Sequence, residues 1–415
     1  MSRNWLISQS WNDDVLQISQ GTLPINNANT IGTDLIAWNN FKPLLEKSVK
    51  AGQTFSNGVV STYSLVYASV YTGGVLAPNG DIHFIPSSAN RGQKVSVDGT
   101  VSTYSLVYTN TNAYFGGVLA PNGDIHFVPY NANRGQKVAV DGTVSTYSLV
   151  YTAGSAYFGG VLAPNGDIHF VPFTANRGQK VSADGTVSTY SLVYIGSYFG
   201  GVLAPNGDIH FIPYNANRGQ KVAADGTVST YSLVYTTANA YYGGVLAPNG
   251  DIHFVPYNAN RGQKVAVDGT VSTYSLVYTT ANAYGGGVLA PNGDIHFVPL
   301  TANRGQKVAA DGTVSTYSLV YTTANAYGGG VLAPNGDIHF VPRNATVGQK
   351  VAVDGTVSTY SLVYTTSYAY GGGVLAPNGD IHFVPLNANR GQKVSTLTGK
   401  PFNRTICESP FFNKL

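Results

Sequence analysis

The chain has 415 residues, 49 of them glycine and 29 tyrosine, with charged side chains at only 10% and a net charge of +3. So small a charge points to neither nucleic acid nor an anionic membrane as partner. The single cysteine, Cys407, excludes intrachain disulfides and leaves a cysteine-based metal site short of ligands.

Residues 1–51 are not repetitive. They hold all three tryptophans, Trp5, Trp11 and Trp38, and their opening run MSRNWLISQSWNDD lacks the apolar core of a secretory signal. Over 33–50, Leu35, Ile36, Trp38, Phe41, Leu44 and Leu45 fall at roughly helical spacing, with Pro43 kinking or restarting the helix. The segment is expected to be partly helical, and to act either as a cap on the rest of the chain or as an anchor to a partner. No apolar run approaches a membrane span, so no membrane insertion is expected.

From 52 to 397 one unit repeats. The block GGVLAPNGDIHF begins at Gly73, Gly116, Gly159, Gly200, Gly243, Gly286, Gly329 and Gly372, at a step of 43 residues except for one of 41. A period in the low forties, with units too small to cover their own faces, predicts a ring of four-stranded blades. In the first complete unit, Val75-Leu76-Ala77 and Ile82 to Pro86 flank Pro78-Asn79-Gly80, which reads as a hairpin joining strands a and b through a three-residue loop. Gln93 to Val97 and Thr100 to Tyr108 then meet across Asp98-Gly99, a dipeptide suited to a two-residue type I′ turn between strands c and d. Both faces of strand d carry packable groups, as expected of a sheet held between two neighbours. The short step falls in a d-to-a connection, Tyr194 to Phe199, where deletions are tolerated.

The array opens in mid-unit, with Gly52 to Phe55 and Ser61 to Tyr67, and closes with Gly373 to Val394, which supplies a, b and c but no d. The fold expected is therefore all-β: an eight-bladed β-propeller of four-stranded antiparallel blades, closed by pairing of N- and C-terminal strands. The surplus Gly52–Phe55 stretch competes with Gly391–Val394 for one strand position, and the C-terminal copy is expected to win. A tail, 398–415, follows.

The run Gly-Val-Leu-Ala-Pro-Asn-Gly-Asp-Ile-His-Phe-Val-Pro, then Asn-Arg-Gly-Gln-Lys-Val-Ala-Val-Asp-Gly-Thr, resembles the NHL-type propeller blade. It also resembles the highly repetitive propellers of bacterial and bacteriophage genomes. The resemblance covers the whole array and implies blade geometry. It implies no particular activity, because propellers host ligand binding, scaffolding and unrelated enzymes.

All eight histidines occupy one blade position: His83, His126, His169, His210, His253, His296, His339 and His382. A catalytic base belongs to one asymmetric constellation, so eight equivalents argue for structure, each ring lying between blades and bonding a hydroxyl next door. A ring of metal sites is the competing reading. Two rings of aspartates, Asp81 and Asp98 with their equivalents, are accounted for by turn geometry, and one carboxylate per turn does not make a calcium site. No metal and no cofactor are expected.

The copies differ most in the b–c and d–a connections, which emerge on one face. There Tyr114, Tyr157, Tyr198 and Tyr241 accompany Tyr130, Phe173, Tyr214 and Tyr257, with Arg91, Arg134, Arg177, Arg218, Arg261, Arg304 and Arg390 close by; the seventh unit has Val347 instead. A rim of flat side chains, amides and guanidinium groups suits a glycan, although the same residues also serve simply to shape loops. The resulting expectation is a non-enzymatic propeller on a virion, phage tail or cell surface. Its loop face would bind a glycan or protein receptor by avidity, and 1–51 and 398–415 would attach or assemble it. One alternative is a structural protein that makes protein contacts through its flanks. Another is a propeller enzyme of the lactonase or lyase kind, which needs a unique polar cluster at the central channel; the a strands, all Gly-Val-Leu-Ala-Pro, offer none.

Overall fold

The turn residues of each unit set its strand ends, and the computed structural model, which describes residues 11–12, 15–16 and 54–398, has the four strands where those turns place them. In blade 1, strands a (Tyr71–Leu76), b (Ile82–Pro86), c (Arg91–Val95) and d (Val101–Ser105) pair antiparallel in that order. Blades 2 to 7 repeat this from Tyr114, Tyr157, Tyr198, Tyr241, Tyr284 and Tyr327. Each a strand touches the a strands on both sides, Tyr370–Leu375 against Tyr71–Leu76 included, so the ring closes around a central channel. The helix expected over 33–50 and the tail after 398 lie outside the described residues. Among those described in the N-terminal segment, Trp11–Asn12 pairs with Val15–Leu16.

The a–b turn is as its sequence predicts. Ala77 N–H donates to Asp81 O at 2.8 Å, Gly80 N–H to Ala77 O at 2.9 Å, and Gly80 takes φ +88°. The c–d turn differs from the two-residue type I′ expectation. Ser96 N–H donates to Thr100 O at 2.8 Å and only Gly99 has positive φ, +87°, so this is a second three-residue loop. Asp98 accounts for the difference: its carboxylate accepts from Thr100 N–H at 2.8 Å, which stabilises a right-handed Asp98 and leaves Gly99 alone in the left-handed region.

Strand b is buried on both faces in every blade, and each apolar cluster spans a seam. Val75 and Ile85 of blade 1, for instance, pack with Tyr114, Ile125, Phe127 and Val138 of blade 2. Strand d is only half covered, and Val107 just beyond it is 62% exposed, because d is the outermost strand and lacks a further neighbour. The seams are also clamped by a residue type that the sequence does not advertise. Gln136, fully buried, accepts from the N–H groups of Val107 and Tyr108 on the preceding blade at 2.9 and 2.8 Å; a glutamine does the same at six other seams, and Gln93 accepts from Tyr67 N–H at the eighth. Gln136→Leu keeps the bulk but strands two backbone donors; a loss of about 1–3 kcal/mol is expected in denaturant unfolding.

Blade 8 is assembled from both ends. Its a, b and c strands are Tyr370–Leu375, Asp380–Pro385 and Arg390–Thr398, and its d strand is Thr54–Ser64, paired from Ser64↔Arg390 to Val60↔Val394. The C-terminal copy does take the c position. The upstream stretch is not displaced, however: after a bulge it continues the same ladder, with Thr54↔Thr398 and Phe55↔Leu397. This is the one blade without a c–d turn, so strands c and d run on as a ribbon at that face. Gly58 lies close enough to blade 7 that a Cβ there would meet His339 Cε1 at 3.4 Å. Beneath it the Lys350 side chain is 9% exposed, against 28–31% for its seven equivalents.

Candidate functional site

The antiparallel order puts a–b and c–d turns on one face and b–c and d–a loops on the other. The turn face holds every histidine and every carboxylate among the described residues. His83 Nδ1 shares a hydrogen bond with the Tyr104 hydroxyl at 3.2 Å, and the arrangement recurs in each blade. The hydroxyl belongs to strand d of the same blade, not to the blade next door. It reaches His83 because Tyr104 lies flat over Gly92, where a Cβ would meet the ring at 1.9 Å. Burial, reinforced by the neighbouring lysine, pushes these histidines down to about 4, so they are neutral at pH 7. In His382 burial has the same effect, while Asp380 opposes it. The aspartate of each a–b turn pairs with the strand c lysine, at 2.6 Å for Asp81 and Lys94. Among the described residues no three His, Cys, Asp or Glu gather as a metal site would require.

The loop face is where eightfold symmetry breaks. Tyr114, Tyr157, Tyr198 and Tyr241, expected on its rim, are instead core residues, 0–1% exposed. Each ring is pinned in the seam as its hydroxyl donates to the carbonyl of the strand c arginine, 3.0 Å from Tyr114 to Arg134. The arginines themselves, Arg91, Arg134, Arg177, Arg218, Arg261, Arg304 and Arg390, stand exposed on the outer rim. Tyr130, Phe173, Tyr214 and Tyr257 are half-buried and lie toward the channel, and the rings they meet there were not anticipated.

Those rings come from the residue after the buried tyrosine at the start of strand a: Thr72, Phe115, Phe158, Phe199, Tyr242, Gly285, Gly328 and Gly371. Phe115, Phe158, Phe199 and Tyr242 stack in sequence with centroids 3.7 Å apart. Tyr130, Phe173, Tyr214 and Tyr257 form a second arc outside, Tyr257 stacked on Tyr242 at 5.1 Å. The glycine that follows each stacked ring takes positive φ, +80° to +100°, whereas Gly73, Gly286, Gly329 and Gly372 do not. The opposite sector carries no ring: Gly285, Gly328 and Gly371 hold the equivalent positions, and Gly371 is exposed.

Arg343 sits over this glycine sector, its Cδ 3.5 Å from where a Gly328 Cβ would be. It replaces the ring that blades 2 to 5 carry after the b-strand proline, and the same blade has Val347 where others have the rim arginine. The guanidinium lies over the Tyr368 ring, 4.6 Å from its centroid. Tyr368 holds φ +53° at a position that is Asn112, Asn239, Asn282 or Asn325 in other blades. A tyrosine tolerates that conformation less well than asparagine does, so the cation contact is held at some cost in strain. Arg343 Nε is buried with no acceptor. Burial raises the Tyr242 and Tyr257 hydroxyls above the usual phenol value, and the Arg343 charge partly offsets this in both. A unique polar cluster therefore does stand at the channel. Its signal in the sequence was the pair of departures, Arg343 and Val347, within copies that otherwise barely differ.

Residues 44–241, just under half the chain, match the Virginiamycin B lyase family. No curated protein sequence matches the chain significantly. Among solved structures, a streptogramin B lyase aligns with TM-score 0.57 at 19% identity, over 83% of this chain and 98% of that one. A catalytically inactive His-to-Ala variant of virginiamycin B lyase from Staphylococcus aureus, with quinupristin, aligns with TM-score 0.56 at 15% identity, over 82% and 99%. Hydrazine synthase of Kuenenia stuttgartiensis aligns with TM-score 0.51 at 10% identity, over 84% and 99%. At these identities the structures speak for the fold alone. The match to the lyase family overturns the expectation of a non-enzymatic receptor-binding propeller on a virion or cell surface, and favours the lyase alternative in its place. The chain is a repetitive eight-bladed β-propeller, similar over nearly half its length to the virginiamycin B lyase family.

Proposed function

We propose that the chain is a propeller enzyme of the lyase kind, working at the channel mouth on the loop face. The observation that carries this is Arg343: one guanidinium with an unpartnered buried Nε, lying over the Tyr368 phenol and unmatched in any other described blade. An elimination breaks a C–H bond and a neighbouring carbon–heteroatom bond, forms C=C, and consumes no water. Negative charge develops on the carbonyl that acidifies the C–H bond, and a cation in a partly dehydrated site stabilises it. The proton lost from carbon must end on the leaving heteroatom, and Tyr242 or Tyr257 carries it: the phenol, protonated at neutral pH, gives its proton to that atom and its oxygen takes the one from carbon. The histidines are not part of this site, since all eight lie toward the turn face.

Quinupristin, the molecule with the S. aureus variant, is the first substrate to try. Incubation with the full chain should give products whose masses sum to that of the substrate, with no water gained. Arg343→Met should lower the rate about 100-fold with melting unchanged. An untouched substrate, or an Arg343→Met protein of full activity, would count against the reading.

A further inference from the structure

The channel mouth also indicates what kind of molecule it takes, an inference that rests on reading the mouth as the reaction site. The stack from Phe115 to Tyr242 ends at blade 5, and the next three blades have glycine where a fifth ring would follow. At Gly285 a would-be Cβ lies 3.5 Å from Leu300 Cβ and at Gly371 3.8 Å from Leu386 Cβ, and of the three glycines only Gly371 is exposed. Bare backbone admits a flat group closely, because no side chain stands between it and the wall.

Above this floor the polar requirement is specific. The lysines of strand c are paired with aspartates on the other face. Among the described residues Arg343 has no carboxylate partner, its guanidinium lies over the Tyr368 ring, and its Nε lacks an acceptor. A buried guanidinium donor calls for an oxygen, and a carboxylate or a conjugated carbonyl presents one in the plane of a flat ring.

We propose that the Gly328–Gly372 sector binds a planar aromatic group bearing a carboxyl or acyl oxygen, the ring lying on the glycine backbone and the oxygen accepting from Arg343. Tyr368 acts as a positioning residue that holds the guanidinium over the sector. The aromatic arc forms the far wall of the mouth and sets the width of what enters.

The test is calorimetric titration of the full chain with 1-naphthoate, against cyclohexanecarboxylate, which has the same charge but no flat ring. Naphthoate should bind at least tenfold more tightly. Arg343→Met and Gly371→Leu should each weaken it about tenfold or more, whereas Arg304→Met on the outer rim should leave it unchanged. Tyr368→Asn, which installs the residue other blades carry there, should fold normally and weaken naphthoate without abolishing it. Equal binding of the two acids, or indifference to Arg343→Met and Gly371→Leu, would overturn the proposal. Quinupristin turnover without naphthoate binding would sink this inference and leave the lyase reading standing; ring-dependent, Arg343-dependent binding without turnover would do the reverse.

Discussion

Acidification between pH 6.5 and 4 should unfold the ring steeply, with proton uptake rising toward eight per molecule. Each of the eight histidines is held neutral, at about 4, against an unfolded value near 6.5. The folded value is the lower one, so the contribution is fully present above the unfolded pKa and is lost as pH falls toward the folded pKa. In that window the unfolded chain binds protons that the folded chain refuses. One such histidine costs about 1.4 kcal/mol per pH unit, and eight together on the order of 10 kcal/mol per pH unit, comparable with the whole stability of an ordinary domain. A second window opens below about pH 4, where Asp124, Asp167 and Asp208, held under the usual carboxylate value by their lysine and amide partners, must protonate. Near-UV circular dichroism against pH is the measurement, and His296→Gln should reduce proton uptake by about one. A melting temperature flat from pH 7 to 4.5 would refute the assignment of neutral buried histidines.

Removal of residues 1–64 should abolish the monomeric ring altogether. The deletion takes away strand d of blade 8, which pairs along Arg390–Thr398 and carries Tyr63, the partner of His382. It leaves strand c of that blade as an open edge at the seam where the ends meet, and an unpaired edge recruits another chain. Light scattering should show aggregation or concentration-dependent oligomers, and the cooperative thermal transition should vanish. Deletion of residues 1–53 spares the whole strand and should leave the transition within a few degrees of the intact protein. A soluble monomer melting normally after loss of 1–64 would mean that the a, b and c strands of blade 8 close the ring without strand d.

Much of this architecture is legible without coordinates because it rests on local chemistry repeated eight times. Pro78-Asn79-Gly80 and Asp98-Gly99 end strands wherever they occur, and the period of the repeat counts the blades. The mid-unit start at Ser61 likewise shows that blade 8 must borrow a strand. Where the reading missed, a local preference yielded to a longer-range contact. Asp-Gly favours type I′ in isolation, yet the Asp98 carboxylate captures Thr100 N–H and changes the turn. Tyr114 and its equivalents look like rim aromatics by loop position but are drawn into the seam, where apolar area is buried and the hydroxyl still finds a carbonyl.

By itself, then, the sequence determined the number of blades, their four strands and the closure, since each follows from hairpin chemistry and a fixed period. Only the tertiary structure decided which face of each blade meets its neighbour, that buried glutamines clamp the seams, and that Arg343 reaches Tyr368 from the adjacent blade. Residues on different blades are dozens of positions apart, and only ring closure brings them within contact distance. The channel mouth exists because eight a strands converge there, and no single repeat contains it.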